Sequence, residues 1–111
     1  MRQNKASSAA TAFPEIDSFI DQLWLEDGLS PNTLASYRND MKGFAEWGER
    51  RKLTLWDVQS PHVQEYLAHR FPLVKVRSIN RLIATLRRFY RYALLANLIK
   101  QDPTLHIEAP K

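Results

Sequence analysis

Apolar residues recur at three- and four-residue steps along most of this chain, the spacing that gathers side chains on one face of an α-helix. The first run is Phe13, Ile16, Phe19, Ile20, Leu23 and Trp24. Its acids begin with Glu15 and Asp17 in the opening turns, where the positive end of the helix dipole favours them. Gly28 supplies a stop, since glycine takes the left-handed conformation that ends helices at little cost. A second helix is announced by Ser30-Pro31, a side-chain cap followed by a proline in the first helical position. Leu34, Tyr37, Met41, Phe44, Ala45 and Gly48 then share one side, and Arg50, Arg51 and Lys52 close the helix at about Arg50. Residues 53–59 form a connector that turns Leu55, Trp56 and Val58 inward.

Ser60-Pro61 repeats the cap-then-proline start and predicts a third, shorter helix to about Arg70, with Val63, Tyr66 and Leu67 apolar. Pro72 breaks the chain before the longest helix, about 74–96. Its stripe is Ile79, Leu82, Ile83, Leu86, Phe89, Tyr90, Ala93 and Leu94, with Asn97 as its stop. No stretch alternates with period two for long enough to argue a strand. The expected fold is all-α, a compact four-helix bundle. Residues 1–12 read as a flexible tail, 13–100 as the helical domain, and 101–111 as the start of an extended exit segment. Trp24, Trp47 and Trp56 belong to the core or its edge. Tyr37 and Tyr90 read as buried rings whose hydroxyls reach the edge.

At 111 residues the chain is long enough for one domain with a real core. The absence of cysteine removes disulfides, thiolate zinc sites and thiol catalysis together. No apolar run approaches the roughly 18 residues of a membrane span, and the opening residues lack the apolar region of a signal peptide. A cytoplasmic protein away from the membrane is the expectation. His62, His69 and His106 lack metal-ligand spacing, no glycine-rich phosphate loop exists, and no nucleophile–base–acid set can be assembled. The chain is therefore expected to hold no catalytic residue, metal or cofactor.

Charge changes the picture more than composition does. The formal net charge is +4, but its distribution is uneven. Residues 13–27 hold Glu15, Asp17, Asp21, Glu26 and Asp27 with no base, whereas residues 75–91 hold bases with no acid. On a helical wheel Arg77, Arg81, Ala84, Arg88 and Arg91 fall opposite the last helix's apolar stripe, at steps of four, three, four and three. Asn80 and Arg87 flank this row, and Lys75 precedes it. No acid stands four positions away to compensate the mutual repulsion, so a partner supplying negative charge is the better account. Arginine suits phosphate and guanine edges because its planar fork makes two bonds at once. Ala84, small and in mid-row, lets the helix backbone approach a grooved surface. The second helix offers Asn32, Ser36, Asn39 and Gly43 opposite its core stripe, with Thr33, Arg38 and Lys42 beside them. Short hydrogen-bonding groups in the first half of a helix are what many duplex readers place in a groove. Two readings stay open: a duplex-DNA-binding domain, or a helical interaction module docking an acidic protein.

The string from Leu29 through Ser30, Pro31, Asn32, Thr33, Leu34, Ala35, Ser36, Tyr37, Arg38 and Asn39 to Asp40 resembles the opening helices of the N-terminal core-binding domain of tyrosine recombinases, the phage integrase family. The later string from Ser78 to Tyr90, Ser-Ile-Asn-Arg-Leu-Ile-Ala-Thr-Leu-Arg-Arg-Phe-Tyr, is similar to that domain's last long helix. Asp102-Pro103-Thr104 and Ala109-Pro110-Lys111 resemble the linker into the catalytic domain, and the resemblance covers about residues 14–111. It implies a SAM-like four-helix bundle, orthogonal rather than simply up-and-down, that forms half of a clamp on duplex DNA at a recombination site, with helices across the major groove. It also implies that the catalytic arginines, lysine, histidines and tyrosine lie in a domain not included here. Further implied partners of a full-length protein are a second, partner recombinase and an activating DNA translocase, in systems that resolve chromosome dimers. Thr33, Ser36, Arg38 and Asn39 occupy the matching second helix, and Arg77, Arg81, Arg87 and Arg88 the matching last one. Ala84 stands where the family often has serine. The DNA-binding set expected from both lines is Thr33, Ser36, Arg38, Asn39, Lys42, Lys75, Arg77, Asn80, Arg81, Arg87, Arg88 and Arg91. The acidic first helix is expected to face neighbouring protein rather than DNA.

Overall fold

The structure, a computed structural model, describes residues 11–107, so most of the expected tail and the last four residues lie outside the described residues. Among the described residues it is all-α, with four α-helices and no strand. The chain divides into two units between Gly43 and Phe44, inside the second helix.

In the first unit, helix α1 spans Pro14–Gln22 with Glu15 and Asp17 in its first turn. Thr11 fastens the entry: its N–H donates to Asp17 Oδ1 (3.0 Å) and its hydroxyl accepts the Phe13 N–H (2.9 Å). Ile16, Phe19 and Ile20 are buried. The helix then widens into a single π turn, Leu23–Asp27, which Gly28 ends in the left-handed region at φ 61°. This turn corrects the place given to Trp24. An i→i+5 turn rotates later residues off the α-helical register, so Leu23 stays buried while Trp24 is 55% and Leu25 78% exposed.

Helix α2, Pro31–Arg50, begins as its sequence predicts. Ser30 Oγ accepts the Thr33 N–H (3.2 Å), satisfying one of the donors a helix start leaves orphaned. Leu34 and Met41 are buried and Tyr37 half-buried.

In the second unit α2 continues with Phe44, Ala45 and Trp47 buried. It ends where Lys52 adopts φ 61° and the Leu53 N–H returns to the Gly48 carbonyl (2.9 Å). Gly48 is closely approached there, since a Cβ would come 3.2 Å from the Leu53 carbonyl oxygen and that backbone would have to give slightly. Helix α3 spans Ser60–Arg70 and buries Val63 and Tyr66. Its cap is one residue earlier than expected. Ser60 is inside the first turn, and the Gln59 N–H donates to His62 Nδ1 (2.9 Å), which gives one histidine a structural role. A tight 3₁₀ turn, Phe71–Leu73, leads to α4, Val76–Leu95. Helix α4 buries Ile79, Leu82, Ile83, Thr85, Leu86, Phe89, Tyr90 and Ala93, whereas Leu94 is already partly exposed. Asn97, at φ 62°, closes it as expected, with the Leu98 N–H reaching the Ala93 carbonyl (2.9 Å).

The exit segment is not extended over the described residues. Asp102 Oδ1 accepts the Thr104 N–H (2.8 Å) and hydroxyl (2.6 Å), forming an Asx-type turn, and Pro103, Thr104 and Ile107 are buried.

Aromatic rings fill much of this unit. Trp56 lies flat on Phe89 (5.5 Å, 3°), Phe89 meets Tyr90 edge-on (5.0 Å, 84°), and Phe44 tilts against Tyr66 (5.0 Å). The Tyr90 hydroxyl does not reach the edge: it is buried and donates to the Leu55 carbonyl (2.9 Å), tying α4 to the connector. Burial holds the hydroxyl far above the usual phenol range, and the charge of Asp102 adds to this. Below about pH 10 the phenol is neutral in both folded and unfolded chains. Above it the unfolded chain ionises while the folded one resists, so stability falls by up to about 1.4 kcal/mol per pH unit. Tyr90→Phe should cost about 1–3 kcal/mol at neutral pH, because the Leu55 carbonyl is left unpaired. The variant should also lose less stability than wild type between about pH 10 and 11. Urea unfolding at neutral and alkaline pH checks both, and parallel declines would refute the alkaline part.

Candidate nucleic-acid interface

Helix α4 is built as a two-sided rod. At about 1.5 Å rise per residue, Arg77 and Arg91 stand about 21 Å apart along its axis. Arg77, Arg81, Ala84, Arg88 and Arg91 are all exposed, as are Asn80 and Arg87 beside them and Lys75 at the N-cap. The opposite side is the buried stripe, so packing leaves the helix only one face to present. Thr85, buried within α4, donates its hydroxyl to the Arg81 carbonyl (2.9 Å) and satisfies itself within the helix.

The acid-free block is longer than residues 75–91. From Tyr66 to Gln101 the chain carries Arg70, Lys75, Arg77, Arg81, Arg87, Arg88, Arg91 and Lys100 and no carboxylate side chain. The ion pair of Arg51 with Glu65 (2.9 Å) lies outside that block. The cations of the row are not all equally disposed. Arg81 and Arg88 each make an intramolecular interaction, and the Arg87 guanidinium donates to the Ile107 carbonyl. Arg87 therefore pins the exit segment to α4, with its remaining donors left for other work. No local pattern pointed to that bond, because its partners are twenty residues apart and the acceptor is a backbone atom.

The α2 candidates are more enclosed. Asn39 and Lys42 are exposed, and Lys42 also makes an intramolecular interaction. Thr33, Ser36 and Arg38 are half-buried. The Thr33 hydroxyl accepts from Ser30 Oγ (3.0 Å) and so takes part in the cap, keeping its own proton and one lone pair to offer. The Nε of Arg38 is buried and has no acceptor among the described residues, so the outer nitrogens carry whatever this guanidinium contacts.

Among the described residues no group of histidines and carboxylates is arranged to hold a metal ion, and no helix is long and apolar enough to cross a membrane.

Residues 16–97 match the family of the phage integrase N-terminal SAM-like domain. The chain is 43% identical over 99 residues to Tyrosine recombinase XerD of Pseudomonas aeruginosa, and equally so to that of Shewanella oneidensis. It is 38% identical over 97 residues to the Proteus mirabilis protein of the same name. These alignments take in 88%, 88% and 86% of this chain, but 33%, 33% and 31% of the relatives, so the chain spans about a third of their length. A matched region running from α1 through the whole of α4, with these relatives, identifies the helical unit: the chain belongs to the phage integrase N-terminal SAM-like domain family, in the form found in tyrosine recombinases of the XerD type.

Proposed function

We propose that this chain is the duplex-DNA-binding part of a site-specific tyrosine recombinase, contacting the major groove through α2 and α4 and doing no chemistry itself. The exposed arginine row on α4, backed by a buried apolar stripe and set in an acid-free block, carries this reading. Phosphates bring about one charge per 1.7 Å of duplex axis. A row about 21 Å long is therefore long enough to meet several of them. Exposed Asn39 and Lys42 on α2 add one group able to read a base edge and one able to hold a phosphate.

In the full-length protein, strand exchange belongs to a catalytic domain following the linker, whose start we assign to residues 101–111 after a domain at 13–100. The resemblance to XerD-type proteins supports resolution of chromosome dimers as the biological task. It also supports an XerC-like partner recombinase and a DNA translocase as companions, in the cytoplasm.

The salt dependence of binding tests the core of this. If about four to six phosphates are neutralised, log K should fall against log salt with a slope near −4 to −5. Fluorescence anisotropy with a labelled recombination-site duplex over a salt series measures it. A nearly flat dependence, or tight binding to an acidic protein with only sequence-blind retention of DNA, would replace this reading with a protein-docking module.

A further inference from the structure

The connector between α3 and α4 is apolar and exposed, where connectors are ordinarily polar. The 3₁₀ turn Phe71–Leu73 presents Phe71 at 49% and Leu73 at 62% exposure, and Val76 follows at 47% at the start of α4. Pro72 stiffens the turn between them. Arg70 stands just before and Lys75 just after, and no acid occurs in the surrounding block from Tyr66 to Gln101. A hydrophobic tip framed by cations wants a partner that is anionic outside and apolar within.

We propose that this turn is a wedge that enters the minor groove of duplex DNA and partly unstacks one base step, while Arg70 and Lys75 hold the phosphates alongside. Stacked bases between phosphate chains have that chemistry, and Phe, Leu and Pro are the residues that architectural proteins insert between base steps. A second copy of the chain fits poorly, because a self-complementary contact here would bring like charges together. A lipid surface fits poorly too, since one short turn offers far less apolar area than an interfacial helix. The inference rests on the DNA-binding reading above and adds to it a deformation of the duplex, preferred at flexible pyrimidine–purine steps.

The test places 2-aminopurine at successive positions of a duplex and adds the whole 111-residue chain. Wild type should raise the fluorescence at one step. The double variant Phe71→Ala, Leu73→Ala should abolish that rise and weaken binding about tenfold, in keeping with the loss of one aromatic contact to a base. Its salt slope should be unchanged, because no cation is removed. Leu73→Glu alone should act in the same direction. An unchanged rise and affinity in these variants, with binding still weakened by Arg77→Glu and Arg91→Glu, overturns the wedge and leaves the DNA reading standing. No binding of wild type to any duplex overturns both. Loss in the double variant of binding to phosphatidylglycerol–phosphatidylcholine vesicles, or of self-association in sedimentation, with the fluorescence rise intact, also overturns the wedge.

Discussion

A chain carrying Arg77→Glu and Arg91→Glu together should bind duplex DNA about 100- to 10,000-fold more weakly than wild type near 0.1 M salt. Each exchange removes a charge-assisted hydrogen bond of about 1.5–3 kcal/mol, so two remove about 3–6 kcal/mol, and each tenfold is about 1.4 kcal/mol. These two positions are chosen because Arg81 and Arg88 also make interactions within the chain, so their replacement would mix binding with folding. Arg77 and Arg91 are exposed near the two ends of α4. Glutamate is about as good a helix former as arginine. At position 77, in the first turn, it improves the dipole, and position 91 lies before the last turn, where the dipole acts only weakly. The variant should therefore fold nearly as stably as wild type, and circular dichroism with thermal melting confirms that before binding is read. The salt slope should also flatten by about one unit per lost contact. Affinity within threefold of wild type, in a chain that melts normally, would take α4 out of the interface.

The helices were legible because each signal lies within a few residues. Ser30-Pro31 needs only Thr33 to complete a cap, and Asn97 needs only the last turn of α4. The buried stripe of α4 follows from its spacing alone, and the exposed row is its complement. Trp24 failed for a different reason. Its spacing is that of a core residue, but a single π turn shifts the register by one, and no residue in Leu23–Asp27 demands such a turn. The scattered spacing of His62, His69 and His106 speaks only to metal binding and does not show that His62 accepts the Gln59 N–H.

Prolines in the exit segment suggest extension, whereas one local turn and one long-range bond fold it back. Arg87 reaches the Ile107 carbonyl, and Asp102 gathers Thr104 into a turn beside buried Pro103. The same limit applies to Tyr90: helical spacing places the ring inward but says nothing of the Leu55 carbonyl thirty-five residues away. For the candidate site, spacing separates polar faces from apolar ones. It does not separate exposed Asn39 from half-buried Thr33 and Arg38 on the same helix. That difference comes from the cap and the packing around α2, which exist only in three dimensions.

Phe89→Ala should destabilise the domain by about 3–5 kcal/mol, the usual result of deleting a fully buried aromatic ring. Phe89 has no exposed surface, lies flat against Trp56, meets Tyr90 edge-on and tilts against Tyr92, so the change opens a cavity and breaks three aromatic pairs together. Against a typical stability of about 5–15 kcal/mol this is roughly a fifth or more, and the melting temperature should fall by about 10–25 °C. Trp56→Ala should cost less, because Trp56 is half-exposed and water already covers part of its other face. Denaturant unfolding of both variants gives the order, and a smaller loss for Phe89→Ala would mean that the stacked pair is not the support of α4. The charged row stands on the other side of the same helix, so Phe89 acts on binding only by keeping that helix folded. Below its own melting point Phe89→Ala should bind a duplex within a few-fold of wild type. The Arg77 and Arg91 exchanges should do the reverse, sparing the melt and abolishing the binding, and the contrast separates the backing of the helix from its working face.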